Sequence, residues 1–134
     1  MENLIKLTLD VVITETDVED IMQTALDGIT YWADAVRHVD EWKGDDACEH
    51  IANGGELRIH LSEGPITEGG PRWYTLSQEK LVRGIKQYLM DPETDIPGLL
   101  FNNGVRTEIE LGDIDAAAAD LIVQYALFGE QVFA

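Results

Sequence analysis

Carboxylates are the chemical groups this chain carries in excess: 26 Asp and Glu stand against nine Lys and Arg, a formal net charge of −17. Their spacing is uneven. Residues 7–36 contain Asp10, Glu15, Asp17, Glu19, Asp20, Asp27 and Asp34 with no basic residue, and residues 107–134 repeat that imbalance. On a helix, Asp17 and Asp20 stand about 5–6 Å apart, and unpaired like charges at that spacing cost up to about 0.5 kcal/mol per pair. Folding has no need of this arrangement. Two uses remain: a solubilising surface in which acids near helix starts offset the helix dipole, or a negative face that imitates a phosphate array and competes for a basic groove. The second use assigns partner contact to Asp17, Glu19, Asp20, Asp27, Asp40, Glu41, Asp45 and Asp46. Screening over roughly 8 Å at physiological salt confines such a face to close, multi-charge contacts.

Catalytic and metal chemistry find weaker footing. His38, His50 and His60 could join carboxylates, and Asp46 with His50 has the i, i+4 spacing of one helix face, which keeps a metal-assisted hydrolase as an alternative. No HExxH or paired CxxC supports it, so no metal and no cofactor is expected. Asp91, Glu93 and Asp95 open like a calcium loop, but Ile96 replaces the glycine at position six and Asn102 the glutamate at position twelve. Cys48 lies two residues from His50, and residues so spaced on a helix face different ways, so a structural thiol is the simpler reading. Neither GxGxxG nor GxxxxGK[ST] occurs.

A third possibility is a small-ligand or nucleotide-binding sponge. Tyr31, Trp32 and Trp73 offer large contact area at low entropy cost, and Arg37, Arg58 or Arg72 would hold an anionic group. Aromatic residues of this kind more often pack a core.

The elements that must position these residues follow from hydrophobic period. Leu4 to Thr14 alternates, with Ile5, Leu7, Leu9, Val11 and Ile13 on one side, and predicts a half-buried strand. Thr16 and Glu19 form a capping box before an apolar stripe of Val18, Ile21, Met22, Ala25 and Leu26, ended by Gly28. A second strand is expected within residues 29–39, then a short helix capped by Asp45 and stopped at Asn53, Gly54 and Gly55. Leu57, Ile59 and Leu61 pair with Trp73 to Thr75 across a long loop as an antiparallel hairpin. Thr75 or Ser77 caps a helix that ends before Pro92. Asn103 and Gly104 turn a last hairpin, and Asp113 or Asp115 caps a helix running to Phe128 that is apolar nearly all round and therefore central. The fold class is α+β: a small antiparallel sheet packed against three to four helices, in one domain spanning 1–134.

Bulk properties exclude several classes. The 45% hydrophobic and 26% charged fractions are those of a globular protein. The negative potential disfavours direct nucleic-acid binding and anionic lipid. No apolar run approaches the roughly 20 residues a bilayer crossing needs, no leader pattern opens the chain, and the single cysteine suits a reducing compartment, so the expected location is cytoplasmic. Monomer and homodimer both remain open.

Residues 28–34 (GITYWAD), 51–60 (IANGGELRIH) and 122–129 (IVQYALFG) resemble a group of short phage and prophage proteins to which no activity is attached. The resemblance implies a genetic setting, a small protein acting on host machinery. With the charge, it makes the leading expectation a non-enzymatic inhibitor that binds a basic, nucleic-acid-handling host protein, such as a CRISPR effector or a restriction enzyme.

Overall fold

A computed structural model describes residues 2–62, 72–94, 100–102, 104, 106–109, 111 and 114–134. In chain order the elements are β1 (Val11–Val12), α1 (Glu15–Gly28), β2 (Ala33–Val39), α2 (Ala47–Ala52), β3 (Glu56–Leu61), β4 (Trp73–Leu76), α3 (Gln78–Leu89), β5 (Leu100–Asn102), β6 (Thr107–Ile109) and α4 (Ala116–Phe128).

Local chemistry explains most of the boundaries. Helix α1 begins at Thr14, whose side chain accepts from the Asp17 N–H while the Asp17 carboxylate accepts from the Thr14 N–H. The expected capping box is thus present two residues earlier than Thr16 and Glu19. Asp46, rather than Asp45, caps α2. Ser77 caps α3, and Asp115 caps α4. At the far end of α4, Gly129 takes φ +75, a left-handed conformation that glycine adopts without steric cost. Gly104 has φ +85 in the last hairpin, whereas Asn103 lies outside the described residues, as does Asp113.

The strands form two three-stranded sheets. One is the antiparallel set β2-β3-β4, in which Ile59 faces both Val36 and Tyr74, and it contains the expected hairpin. The other, β1-β6-β5, is mixed: β6 pairs antiparallel with β5 and parallel with β1. Helix α4 packs against α3, α1 and β4 and so occupies the centre. A single buried cluster joins Val18, Ile21 and Met22 of α1 to Leu57, Ile59 and Leu61 of β3, to Leu81 and Ile85 of α3, and to Ile122 and Val123 of α4. Helices α3 and α4 meet closely at Gly84, where a Cβ would stand 2.5 Å from the Ile122 carbonyl oxygen.

The leading segment departs from expectation. Only Val11 and Val12 of the 4–14 alternation join a ladder, while Ile5, Leu7 and Leu9 are 97%, 82% and 64% exposed. The register explains it. Val11 lies opposite Thr107, and the chain has already reversed between Asn102 and Thr107, so a strand running backward from Val11 soon outruns its neighbour. The second strand is also shorter than expected, because residues 29–32 form a turn that follows α1.

Candidate functional site

The acidic residues divide into those with folding work and those without. The carboxylates of Asp17 and Asp46 accept backbone N–H groups at the starts of α1 and α2, from Thr14 at 2.9 Å and from Glu49 at 2.9 Å. Both sites also favour negative charge through the helix dipole. The others stay at the surface: Asp27, Asp40, Glu41 and Asp45 are exposed, and Glu19 and Asp20 are half-buried. Asp20 and Asp27, seven residues apart, fall on the same side of α1 two turns apart, roughly 10 Å along the axis.

Packing of α1 against α2 joins the two acidic sets. Cys48, on α2, shows this most directly: its thiol is pushed up from the ordinary 9.0 to about 11, first by burial and then by Asp46, Glu19 and Asp27. Carboxylates from both helices therefore act on one point. Asp40 sits beside this region in the loop that precedes α2, with φ +61, and its carbonyl oxygen lies 2.7 Å from His38 Nδ1. That loop is anchored by Trp42, which stacks on His38 with centroids 3.9 Å apart and meets His50 edge-on at 5.3 Å.

His50 has a structural environment. Its ring is fully buried, Nδ1 accepts the Lys43 N–H at 3.0 Å, and Nε2 is 3.0 Å from the Glu56 carbonyl oxygen. One tautomer, protonated on Nε2, satisfies both partners. Gly55 lies against the ring, where a Cβ would collide with Nε2. With the Asp46 carboxylate serving the cap, Asp46 and His50 are not arranged as a catalytic pair. Among the described residues, no group of three or more His, Cys, Asp or Glu side chains is placed to hold a metal ion.

The aromatic and arginine candidates split into two places. Arg37, Arg58 and Trp73 meet on the outer face of the β2-β3-β4 sheet, with guanidinium carbons 4.9 and 5.2 Å from the Trp73 ring centroid. Cross-strand pairing brings them there, since Arg37 lies opposite Arg58 and Trp73 opposite His60. His60 packs on Trp73 at 4.7 Å, and its Nδ1 is 2.6 Å from Asp34. Arg72 instead donates to the Leu61 carbonyl at 3.3 Å. Tyr31 and Trp32 do not join this group. Trp32 is wholly buried, because its indole belongs to the core and its Nε1 finds a partner there.

That partner is Asp120, a buried carboxylate on α4 that sequence reasoning missed. It accepts from Tyr31 Oη at 2.6 Å, Trp32 Nε1 at 2.8 Å and Gln124 Nε2 at 3.0 Å. Gln124 Oε1 in turn accepts the Val132 and Phe133 N–H groups, which lays the Phe133 ring parallel to Trp32 at 5.2 Å. The signal was present in sequence as two polar residues at i, i+4 spacing within an otherwise apolar helix. Fully bonded on all sides, the network specifies a unique core.

No described helix is long and apolar enough to cross a membrane. Comparison with protein-family models, with curated proteins and with solved structures finds no match for this chain, so its own geometry must carry the functional argument.

Proposed function

We propose that this chain is a non-enzymatic binding protein that engages a basic, nucleic-acid-handling protein through the acidic face shared by α1 and α2. The observation that supports the reading is the packing of α1 against α2, which sets the acidic residues of one helix beside those at the start of the other in a chain of net charge −17. The resemblance of residues 28–34, 51–60 and 122–129 to phage proteins points to the class of partner, a host-defence enzyme such as a CRISPR effector or a restriction enzyme. Glu19, Asp20, Asp27 and Asp45 are four of the proposed contacts that can be changed without touching a helix cap. The protein should compete with DNA for such enzymes in a binding titration. Competition should weaken by about tenfold or more between low and physiological-to-high salt. It should also weaken in a Glu19→Gln/Asp20→Asn/Asp27→Asn/Asp45→Asn variant. Competition that survives all four changes overturns the reading.

A second reading rests on the outer sheet face, where two guanidiniums share one indole in a chain with only nine basic residues. That arrangement suits a planar anionic ligand such as a nucleotide. A thermal-shift panel of nucleotides tests it: stabilisation lost on Arg58→Gln supports it, and no shift across the panel removes it.

A further inference from the structure

The segment before β1 has the pattern of a strand and an apolar face, and among the described residues its Leu4, Ile5 and Leu7 stay exposed. Odd residues Leu9, Val11 and Ile13 border a groove of about 350 Å³ with Val82, Ile85 and Leu89 of α3 and Ile109 of β6. Even residues Asp10 and Val12 border a recess on the opposite side, with Arg106 and Thr107. The alternation therefore continues through β1, which places Ile5 and Leu7 on the groove side of any extended continuation. Among the described residues β1 is terminal in its sheet, and its second edge offers backbone N–H and C=O groups for pairing. Val82 of the groove is still 45% exposed.

We infer that residues 3–13 pair antiparallel with the same residues of a second copy, so that the two β1-β6-β5 sheets become one continuous sheet across a twofold axis. Charge selects both the occupant and the register. Antiparallel self-pairing must match odd residues with odd ones if the apolar face is to stay on one side. Centring the axis on Thr8 sets Lys6 opposite Asp10 twice, Leu7 opposite Leu9, and Ile5 opposite Val11. Centring it on Leu7 sets Lys6 opposite Thr8 and Asp10 opposite Leu4. Centring it on Leu9 sets Lys6 opposite Val12. Centring it on Lys6 opposes two lysines and puts Glu2 against Asp10. Only the Thr8 register pairs both charges while keeping every apolar neighbour, and it carries Ile5 and Leu7 of one copy to the groove of the other. The arrangement is isologous and closes at two copies. The groove side is apolar apart from Lys86 and the opposite side carries the ion pairs, and at physiological salt repulsion between charges more than about 8 Å apart is largely screened.

Sedimentation across a concentration series should give a two-chain mass. Lys6→Asp and Asp10→Lys should each weaken the dimer by about tenfold, since each turns two attractive cross-strand pairs repulsive. The double swap Lys6→Asp/Asp10→Lys should restore it. Asp10→Lys is the sharper arm, because it lowers the net negative charge and would tighten an association governed by overall repulsion. In a Cys48→Ser background, Thr8→Cys should form a disulfide-linked pair on mild oxidation. A one-chain mass throughout, a dimer indifferent to both single swaps, one tightened by Asp10→Lys, a double swap that fails to restore, or a Thr8→Cys dimer that cannot be linked overturns the inference.

Discussion

Cys48 reports the field of the proposed interface without any partner present. With its thiol held at about 11 rather than 9.0, the thiolate fraction at pH 8 falls from about one-tenth to about one-thousandth, so alkylation should run about a hundredfold slower than for an ordinary cysteine. A rate profile against pH separates ionisation from access, because poor access lowers the plateau whereas the field moves the midpoint toward 11. Glu19→Gln, Asp27→Asn and Asp46→Asn together should bring the midpoint part of the way back and raise the pH 8 rate by up to about tenfold. The return is partial because burial, the larger cause, remains. Asparagine at 46 keeps an acceptor for the cap. Stability follows the same sign: the unfolded thiol ionises near 9.0 and the folded one near 11, so this contribution is intact below pH 9 and lost as pH rises to 11. Tyr88, pushed up by burial and by Asp115, acts in the same direction. A wild-type midpoint near 9, or a midpoint unmoved in the triple variant, would refute the reasoning that joins α1 and α2 into one acidic face.

Three further substitutions test the packing that presents this face. Asp120→Ala strands the buried Trp32 Nε1 and removes one acceptor each from Tyr31 Oη and Gln124 Nε2, and should cost about 2–3 kcal/mol by denaturant unfolding; a loss under about 1 kcal/mol would contradict the network. Gly84→Ala forces α3 from α4 and should destabilise by about 1–3 kcal/mol despite the better helix propensity of alanine, with unchanged thermal stability as the contrary result. His50→Ala unpairs the Lys43 N–H and the Glu56 carbonyl and should cost about 2–4 kcal/mol, whereas a fully stable variant would deny its structural role.

What the sequence disclosed followed the range of the coding. Ser77, Asp115 and Gly129 mark helix ends through their immediate neighbours, and the β3-β4 pairing is written in the alternation of Leu57, Ile59 and Leu61. Helix α1 shows the limit of such signals. Thr14 with Asp17 and Thr16 with Glu19 have the same spacing, and the first pair is used. Features that depend on distant partners were less legible. The alternation from Leu4 onward announces a strand but not that its neighbour ends at the hairpin between Asn102 and Thr107. Tyr31 and Trp32 precede Arg37 closely in sequence, yet the turn before β2 sends the indole to Asp120 while β2 carries the arginine to the outer face. Of the candidate contacts, Glu19, Asp27 and Asp46 act on Cys48, which the sequence did not foretell, and the capping work of Asp17 and Asp46 likewise appears only with the structure.

The most direct test of the acidic-face proposal is a pull-down from host lysate with the wild-type protein and the Glu19→Gln/Asp20→Asn/Asp27→Asn/Asp45→Asn variant side by side, across a salt series, read by mass spectrometry. The proposal predicts a DNA- or RNA-handling protein that is retained by the wild type at low salt, released as salt rises, displaced by added DNA, and absent from the variant. Equal recovery of the same proteins by both chains, at every salt concentration, would contradict it.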